Sequence, residues 1–195
     1  MGREREKLDN EVLKAIRERR SVYRFKPGPV EDEKIQAILE AGRWAPSWTN
    51  TQPWEFIVVK DDPAKQGICD ITKDIWGNGG IEGASVIIVT CVNPTKDPLH
   101  FIEDGAVATQ NMALAAHSLG LASYWVGIFN LRNAKGSAEE RVRDVLRIPW
   151  GIRVVAFLPV GIPAYHPKGE RKRLRDMTFH EEYAMRGWAK SEPSE

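Results

Sequence analysis

Trp44-Ala45-Pro46-Ser47-Trp48-Thr49-Asn50-Thr51-Gln52-Pro53-Trp54, followed at once by Glu55-Phe56-Ile57-Val58-Val59-Lys60, marks where a helix-forming sequence gives way to a sheet-forming one. Two prolines with Ser, Asn and Thr over residues 45–53 are loop chemistry. The run Phe56-Ile57-Val58-Val59 predicts a strand over residues 55–60, covered on both faces. Trp44 and Trp54 flank regular elements and read as core. Asn50 and Gln52 have no apolar periodicity to explain them, and they suit reading the edges of a planar, polar ring system.

Upstream, Leu8, Val12 and Ile16 fall at helical spacing and predict an amphipathic helix over residues 9–20. Val30, Ile35, Ile38 and Leu39 predict a second helix. Pro29 stands at its start, Glu31, Asp32 and Glu33 crowd its first turn, where the dipole favours negative charge, and Gly42 can end it. Downstream, Asp61-Asp62-Pro63 turns the chain into a weaker helix, followed by a glycine-rich loop over residues 77–83. Residues 85–92 read as a second buried strand. Residues 101–119, rich in Ala, Leu and Met, predict a central, closely packed helix with Gly120 as its C-cap. A third strand is expected over 122–128. Ser137-Ala138-Glu139-Glu140 is a capping box opening a helix through Leu146, and 152–160 is a fourth strand before a basic tail. In the order α-α-β-α-β-α-β-α-β, two helices precede any strand, which argues for an α+β sandwich rather than a doubly wound sheet.

The 195 residues fit one domain, and a 42% hydrophobic share supplies an ordinary core. Basic and acidic residues number 28 and 27, leaving a net charge of +1, which excludes a protein built as a whole for nucleic acid or an anionic membrane. Cys69 and Cys91 form no CxxC pair, and Cys91 reads as a buried, inert thiol. Residues 1–11 are charged and lack the apolar stretch of a signal peptide. No apolar run approaches the roughly 20 residues that cross a bilayer. A cytoplasmic protein without membrane contact is expected.

A second stretch, Arg19-Arg20-Ser21-Val22-Tyr23-Arg24-Phe25, gathers three arginines, with Lys26 next, where a helix meets extended chain. It reads either as a solvated cap, favoured by the helix dipole, or as an anion site in which guanidinium forks grip phosphate and Ser21 adds a donor. RRSxxxF, then WAPSxxNxQPWxFxVV about twenty residues on, resembles the nitroreductase family of FMN enzymes. Gly120-Leu121-Ala122-Ser123-Tyr124-Trp125-Val126-Gly127 is similar to that family's GLxSxWxG strand, and Arg171-Lys172-Arg173-Leu174 to its C-terminal phosphate-binding stretch. The match runs from about Ile16 into the C-terminal arm.

The resemblance implies an α+β fold with a central mixed, mainly antiparallel sheet packed between helices, in a domain-swapped homodimer. Residues 1–8 and the arm after about 162 would be extended or swapped. It implies that Arg19, Arg20 and Ser21 hold the FMN phosphate and pyrimidine edge, joined at the phosphate by Arg171 or Arg173. Pro46, Ser47, Trp48 and Asn50, with Gln52, would approach the flavin from the partner subunit. The backbone of Val126 and Gly127 would face N5, and no side chain is expected to be catalytic in its own right. Many relatives carry a basic residue where Tyr23 stands, near N1 and O2; Arg24 is adjacent, but neighbours in extended chain point oppositely. Either the register slips or Tyr23 donates a weaker hydrogen bond.

By the same resemblance, NAD(P)H reduces FMN and leaves, and a flat acceptor such as a nitroaromatic or quinone enters the same cleft. Trp48, Trp125 and Phe129 are candidates to stack on it, though each can equally be core. Reductive dehalogenation or enone reduction on this scaffold, a non-catalytic flavin sensor and a basic-patch nucleic-acid module are the rival readings; near-zero net charge and the tryptophan-amide loop oppose the last. Gly77-Asn78-Gly79-Gly80-Ile81-Glu82-Gly83 lacks the last glycine of G-x-G-x-x-G and precedes a strand, so no nucleotide turn is read there. His100, His117, His166 and His180 have no metal spacing, and no metal is expected. Glu103 and Asp104 read as acids opening a helix.

Overall fold

The computed structural model of the chain describes residues 9–76 and 81–183. Its regular elements are α1 (Glu11–Glu18), β1 (Phe25–Lys26), α2 (Asp32–Arg43), β2 (Trp54–Val59), α3 (Asp62–Trp76), β3 (Val86–Val92), α4 (Phe101–Ser118), β4 (Ala122–Ser123), β5 (Val126–Gly127), α5 (Ala138–Leu146) and β6 (Arg153–Pro163). The long strand β6 organises the sheet. β3 lies along one side of it, with β2 beyond; β5, β4 and β1 line its other side, and every pairing is antiparallel. A single parallel bridge, Ser21 to Ser123, makes the sheet mixed.

Alternation along the strands decides what covers each face. Ile57, Ile87, Val89, Cys91, Val154 and Phe157 face Ile68, Cys69 and Ile71 of α3 and Val142 of α5. Phe56, Val58, Val86, Ile88, Leu158 and Val160 face Ile35 and Ile38 of α2 and Met112, Ala113 and Ala116 of α4. The sheet therefore lies between two helix pairs. Small residues let these layers close: a Cβ at Gly42 would stand 2.8 Å from Met112 Cγ. Gly42 is thus an inter-helix contact inside α2, not the helix end expected for it. Gly120 does terminate α4. At φ +76° it completes a Schellman motif, with its N–H on His117 O (3.0 Å) and the Leu121 N–H on Ala116 O (2.9 Å).

Several expectations need correction. β1 intervenes between the first two helices, so two helices do not precede every strand. The expected strand over 122–128 is split into β4 and β5. Ser123 pairs with Val160 and Val126 with Phe157, so the register is unchanged across the gap and Tyr124 stands opposite Pro159, which has no N–H to donate. Trp54 is buried, but Trp44 is 71% exposed, its indole donating to Glu40 Oε1 (2.7 Å) beneath Arg43. Ser137 caps α5 by accepting the Glu140 N–H, yet the Glu140 carboxylate reaches the Gly136 N–H rather than that of Ser137. Residues 1–8 and the glycines at 77, 79 and 80 lie outside the described residues; 81–83 form a 3-10 turn.

Candidate functional site

α1 ends at Glu18, two residues short of the expected helix, because Arg19 adopts extended backbone (ψ 134°). Arg20 then folds back and donates through Nη1 to the carbonyls of Arg17 (2.5 Å) and Arg19 (2.8 Å). It thereby satisfies carbonyls that the helix leaves open. Arg20 thus caps the helix, and Arg19 is left facing a cleft. That cleft is lined by Glu18, Arg19, Arg20, His117, Ser123 and His166, among others, and measures about 530 Å³ with its open mouth.

Arg19 is half-buried and, among the described residues, has no ion pair. Burial lowers its guanidinium pKa, and the charges of Arg171 and Arg20 push the same way. The C-terminal arm thus brings a cation from 152 residues away in sequence (171 minus 19) to the end of α1. Arg173 is placed differently, paired through Nε with Asp176 at 3.0 Å. The Arg20 Nε is buried without a hydrogen-bond partner. Three like charges drawn together, with one buried donor unsatisfied and, among the described residues, only Glu18 as an acid on the wall, form a site that an anion would stabilise.

The extended run after Arg20 lies along β4. The Val22 N–H donates to Ser123 O at 3.2 Å, beside the Ser21–Ser123 bridge. The next ring along, Tyr23, packs on Tyr124 with centroids 4.8 Å apart. The arm covers the outer side: the Ala164 N–H donates to Arg24 O (3.1 Å), and the Arg24 guanidinium lies 4.9 Å from the centroid of the Tyr165 ring. The hydroxyl of the same Tyr165 accepts the Tyr23 N–H (3.4 Å), so the arm holds both residues. Three of the four stretches singled out in the sequence meet at this edge of the sheet.

The fourth does not. The Trp44–Trp54 stretch sits at the other end of α4, where the Trp48 ring packs on His100 (5.2 Å) and the Trp48 N–H donates to Asp104 Oδ1 (3.1 Å). His117, beside Arg19, is seventeen residues further along, about 25 Å at 1.5 Å per residue. That is too far for one flavin-sized ligand to bridge within a single chain. The loop itself is strained. Thr49, Asn50 and Gln52 have φ of 46°, 60° and 49°, the left-handed region, at a cost of about 1–2 kcal/mol each. It is braced by Ser47 Oγ accepting the Gln52 N–H (3.0 Å) and by the Gln52 amide donating to Asn50 Oδ1 (3.1 Å). Strain of this kind, held by surrounding structure, collects at binding sites. Pro46 is exposed on the same loop.

The comparisons with known proteins follow this geometry. The sequence model of the nitroreductase family matches residues 16–80 and 73–162. The chain belongs to the nitroreductase family. It is 33% identical over 159 residues, 80% of each chain, to a Methanothermobacter thermautotrophicus protein provisionally named a NADH dehydrogenase/NAD(P)H nitroreductase. A provisionally named counterpart of solved structure from Parabacteroides distasonis superposes with a TM-score of 0.82 at 31% identity, covering 90% of this chain and all of that one. A nitroreductase from Desulfovibrio desulfuricans, also provisionally named and solved in complex with FMN, gives 0.75 at 32% identity over 90% and 99% of the two chains. The family, the α+β class with its sheet between helices, and an oxidoreductase identity expected from the sequence hold.

In this nitroreductase-family chain the remaining candidates are distributed unevenly. Trp48 and Trp125 are about half exposed, whereas Phe129 is partly core, packed edge-on to Phe101 (6.1 Å) beneath the Arg153 guanidinium (4.3 Å). Val126 is buried, and a Cβ at Gly127 would lie 3.2 Å from Trp125 Nε1, so this glycine makes room for the indole. Sequence reasoning missed the burial of three acids, Asp97, Asp104 and Glu139, the last two of which brace candidate loops. Glu139, fully buried, accepts from Arg153 Nε (2.7 Å) and from the Asn130 (2.7 Å) and Val154 (3.0 Å) N–H groups, fixing the turn that carries Phe129. Asp104 supports the Trp48 loop from α4. Both stand in the first turn of a helix, where an acid is explained by the dipole alone, so spacing gave no signal of burial.

Proposed function

We propose that this chain is an FMN-dependent oxidoreductase that passes hydride from NAD(P)H to flat electrophiles such as nitroaromatics and quinones, working as a homodimer with two inter-subunit sites. The observation that carries the reading is the half-buried Arg19, with Arg171 and Arg20 gathered beside it and, among the described residues, no ion pair of its own. The buried, unpartnered Arg20 Nε fits the phosphate of the cofactor bound by the Desulfovibrio relative. FMN, when bound, supplies two-electron chemistry at N5, and the chain supplies binding and orientation.

In this reading Arg19 and Arg171 hold the phosphate, with Arg20 and Ser21 beside them. Tyr23, half exposed on Tyr124, faces the pyrimidine end in place of a cation. Val126 and Gly127 lend backbone near N5. Pro46, Ser47, Trp48, Asn50 and Gln52 come from the partner chain in this reading, which the 25 Å separation along α4 supports. Trp48 and Trp125 offer exposed indoles for a planar acceptor to stack on, and a stacking surface discriminates flat molecules loosely.

The test is direct. The purified protein should be yellow, should release FMN rather than FAD on denaturation, and should bleach with NAD(P)H alone. Double-reciprocal plots at several acceptor concentrations should be parallel, because both substrates use one cleft in turn. Protein that stays colourless and takes up no FMN would refute the cofactor reading, and intersecting lines would refute the shared cleft.

A further inference from the structure

The cleft at the end of α1 holds two side chains that no part of the proposed function uses. His117 projects from the last turn of α4, and His166 from the arm; both line the cleft with Arg19 and Arg20. Imidazole is the side chain whose ordinary charge change falls near neutral pH. We propose that His117, with His166, forms a proton-coupled wall of this cleft, so that a phosphate monoester binds there with uptake of a proton and more tightly as pH falls. This rests on the reading of the cleft as the seat of the FMN phosphate, and it names a control on that seat.

The charges facing His117 come from every element around it. Burial lowers its pKa; Glu18 of α1 opposes this, and Arg19, Arg20 and His166 push further down. Arg171 acts on the same cluster through Arg19. In the ligand-free cleft burial first, and the guanidinium charges after it, disfavour an imidazolium. A phosphate dianion reverses that balance: it offsets the guanidinium charges, and the imidazole gains a proton and a charge-assisted donor. Position supports the same outcome, because a helix C-terminus favours a cation in its last turn. By linkage, proton uptake on binding steepens affinity by at most about tenfold per pH unit for each proton taken up. Riboflavin, which lacks the phosphate, should bind without that slope.

The experiment measures FMN and riboflavin affinities by flavin fluorescence between about pH 6 and 8.5, in the wild-type protein, His117→Gln and the His117→Gln/His166→Gln pair. The histidine resonances of the wild-type protein are titrated in parallel with and without inorganic phosphate. The FMN-to-riboflavin affinity ratio should rise as pH falls in the wild type. In the double variant it should keep only the shallow contribution of the phosphate's own ionisation near about pH 6. Inorganic phosphate should raise the His117 titration midpoint. Should a variant fail to fold, the wild-type resonances decide. FMN that binds while inorganic phosphate and FMN leave both imidazoles unmoved overturns the inference and spares the cofactor reading. Imidazoles that respond to inorganic phosphate in a protein that binds no flavin uphold the anion cleft and sink the cofactor reading.

Discussion

Gly169 lies against Arg20 so closely that a Cβ there would stand 2.7 Å from Arg20 Nε and 3.1 Å from its Cδ. Those atoms are mid-chain in a side chain already fixed by two bonds to the end of α1, so they cannot move aside cheaply. The arm that carries Arg171 docks through this contact. Gly169→Val should lift the arm and weaken FMN binding by about 10- to 100-fold, the equivalent of one charge-assisted contact of roughly 1.5–3 kcal/mol. Fluorescence titration checks it, and an unchanged affinity would mean that the arm is not held here.

Arg171 and Arg173 should part company. Arg171 acts on the cleft cluster, while Arg173 is committed to Asp176. Arg19→Ala and Arg171→Ala should each weaken FMN binding about 10- to 100-fold, and Arg173→Ala should have less than a threefold effect. A larger loss at Arg173 than at Arg171 would reverse their assignment.

The apolar face of α1 predicts a partner. Val12, Leu13 and Ile16 are 65%, 38% and 51% exposed, and no residue of α1 is buried. An amphipathic helix with its apolar stripe in water is a liability unless another surface covers it. The distance along α4 between Trp48 and Arg19 asks for that second copy independently. Ile16→Glu should shift sedimentation from dimer to monomer and cost flavin affinity with it, since interfaces of this kind can exceed about 2,000 Å². A wild-type protein that sediments as a flavin-loaded monomer at micromolar concentration would defeat the two-chain site.

How much of this was legible in the sequence follows from the range over which each feature is decided. α2, α4, α5, β3 and β6 are written in local periodicity and caps, and the arginine, tryptophan and GLxSxWxG stretches in their own composition. β1 is too short, at two residues, to show any period. The break at Tyr124 is dictated by Pro159 on another strand, and the meeting of Arg19 with Arg171 by the path of the arm. Trp44 illustrates the converse error: a large apolar residue beside a helix reads as core, yet Glu40 and Arg43 of that helix hold its indole at the surface.

Asp104 and Asp97 give the last prediction, which concerns pH. Both are buried, Asp97 holding the Leu99 and His100 N–H groups and Asp104 that of Trp48. Burial raises the Asp104 pKa, the Trp48 N–H opposes, and the charge of Asp97 pushes it further up. Burial pushes Asp97 up as well, but the His100 and Leu99 N–H groups hold it below its ordinary value. The signs differ accordingly. Asp104 contributes stability that is complete below the ordinary carboxyl pKa of about 3.9 and is lost as pH rises through its raised folded value. Asp97 contributes above about 3.9 and loses it as pH falls through its lowered one. Asp104→Asn keeps an acceptor for Trp48 and cannot ionise, so its Tm should decline less than that of the wild type as pH rises above about 3.9. Asp104→Ala leaves the Trp48 N–H without its acceptor. With a charge-assisted bond contributing about 1.5 kcal/mol, its Tm should fall by about 3–6 °C across this range. Flavin affinity should fall with it, because the strained loop loses its brace. Calorimetry at several pH values decides the matter: an Asn variant whose Tm tracks the wild type, or an Ala variant of unchanged Tm, would show that the pair does not hold the loop.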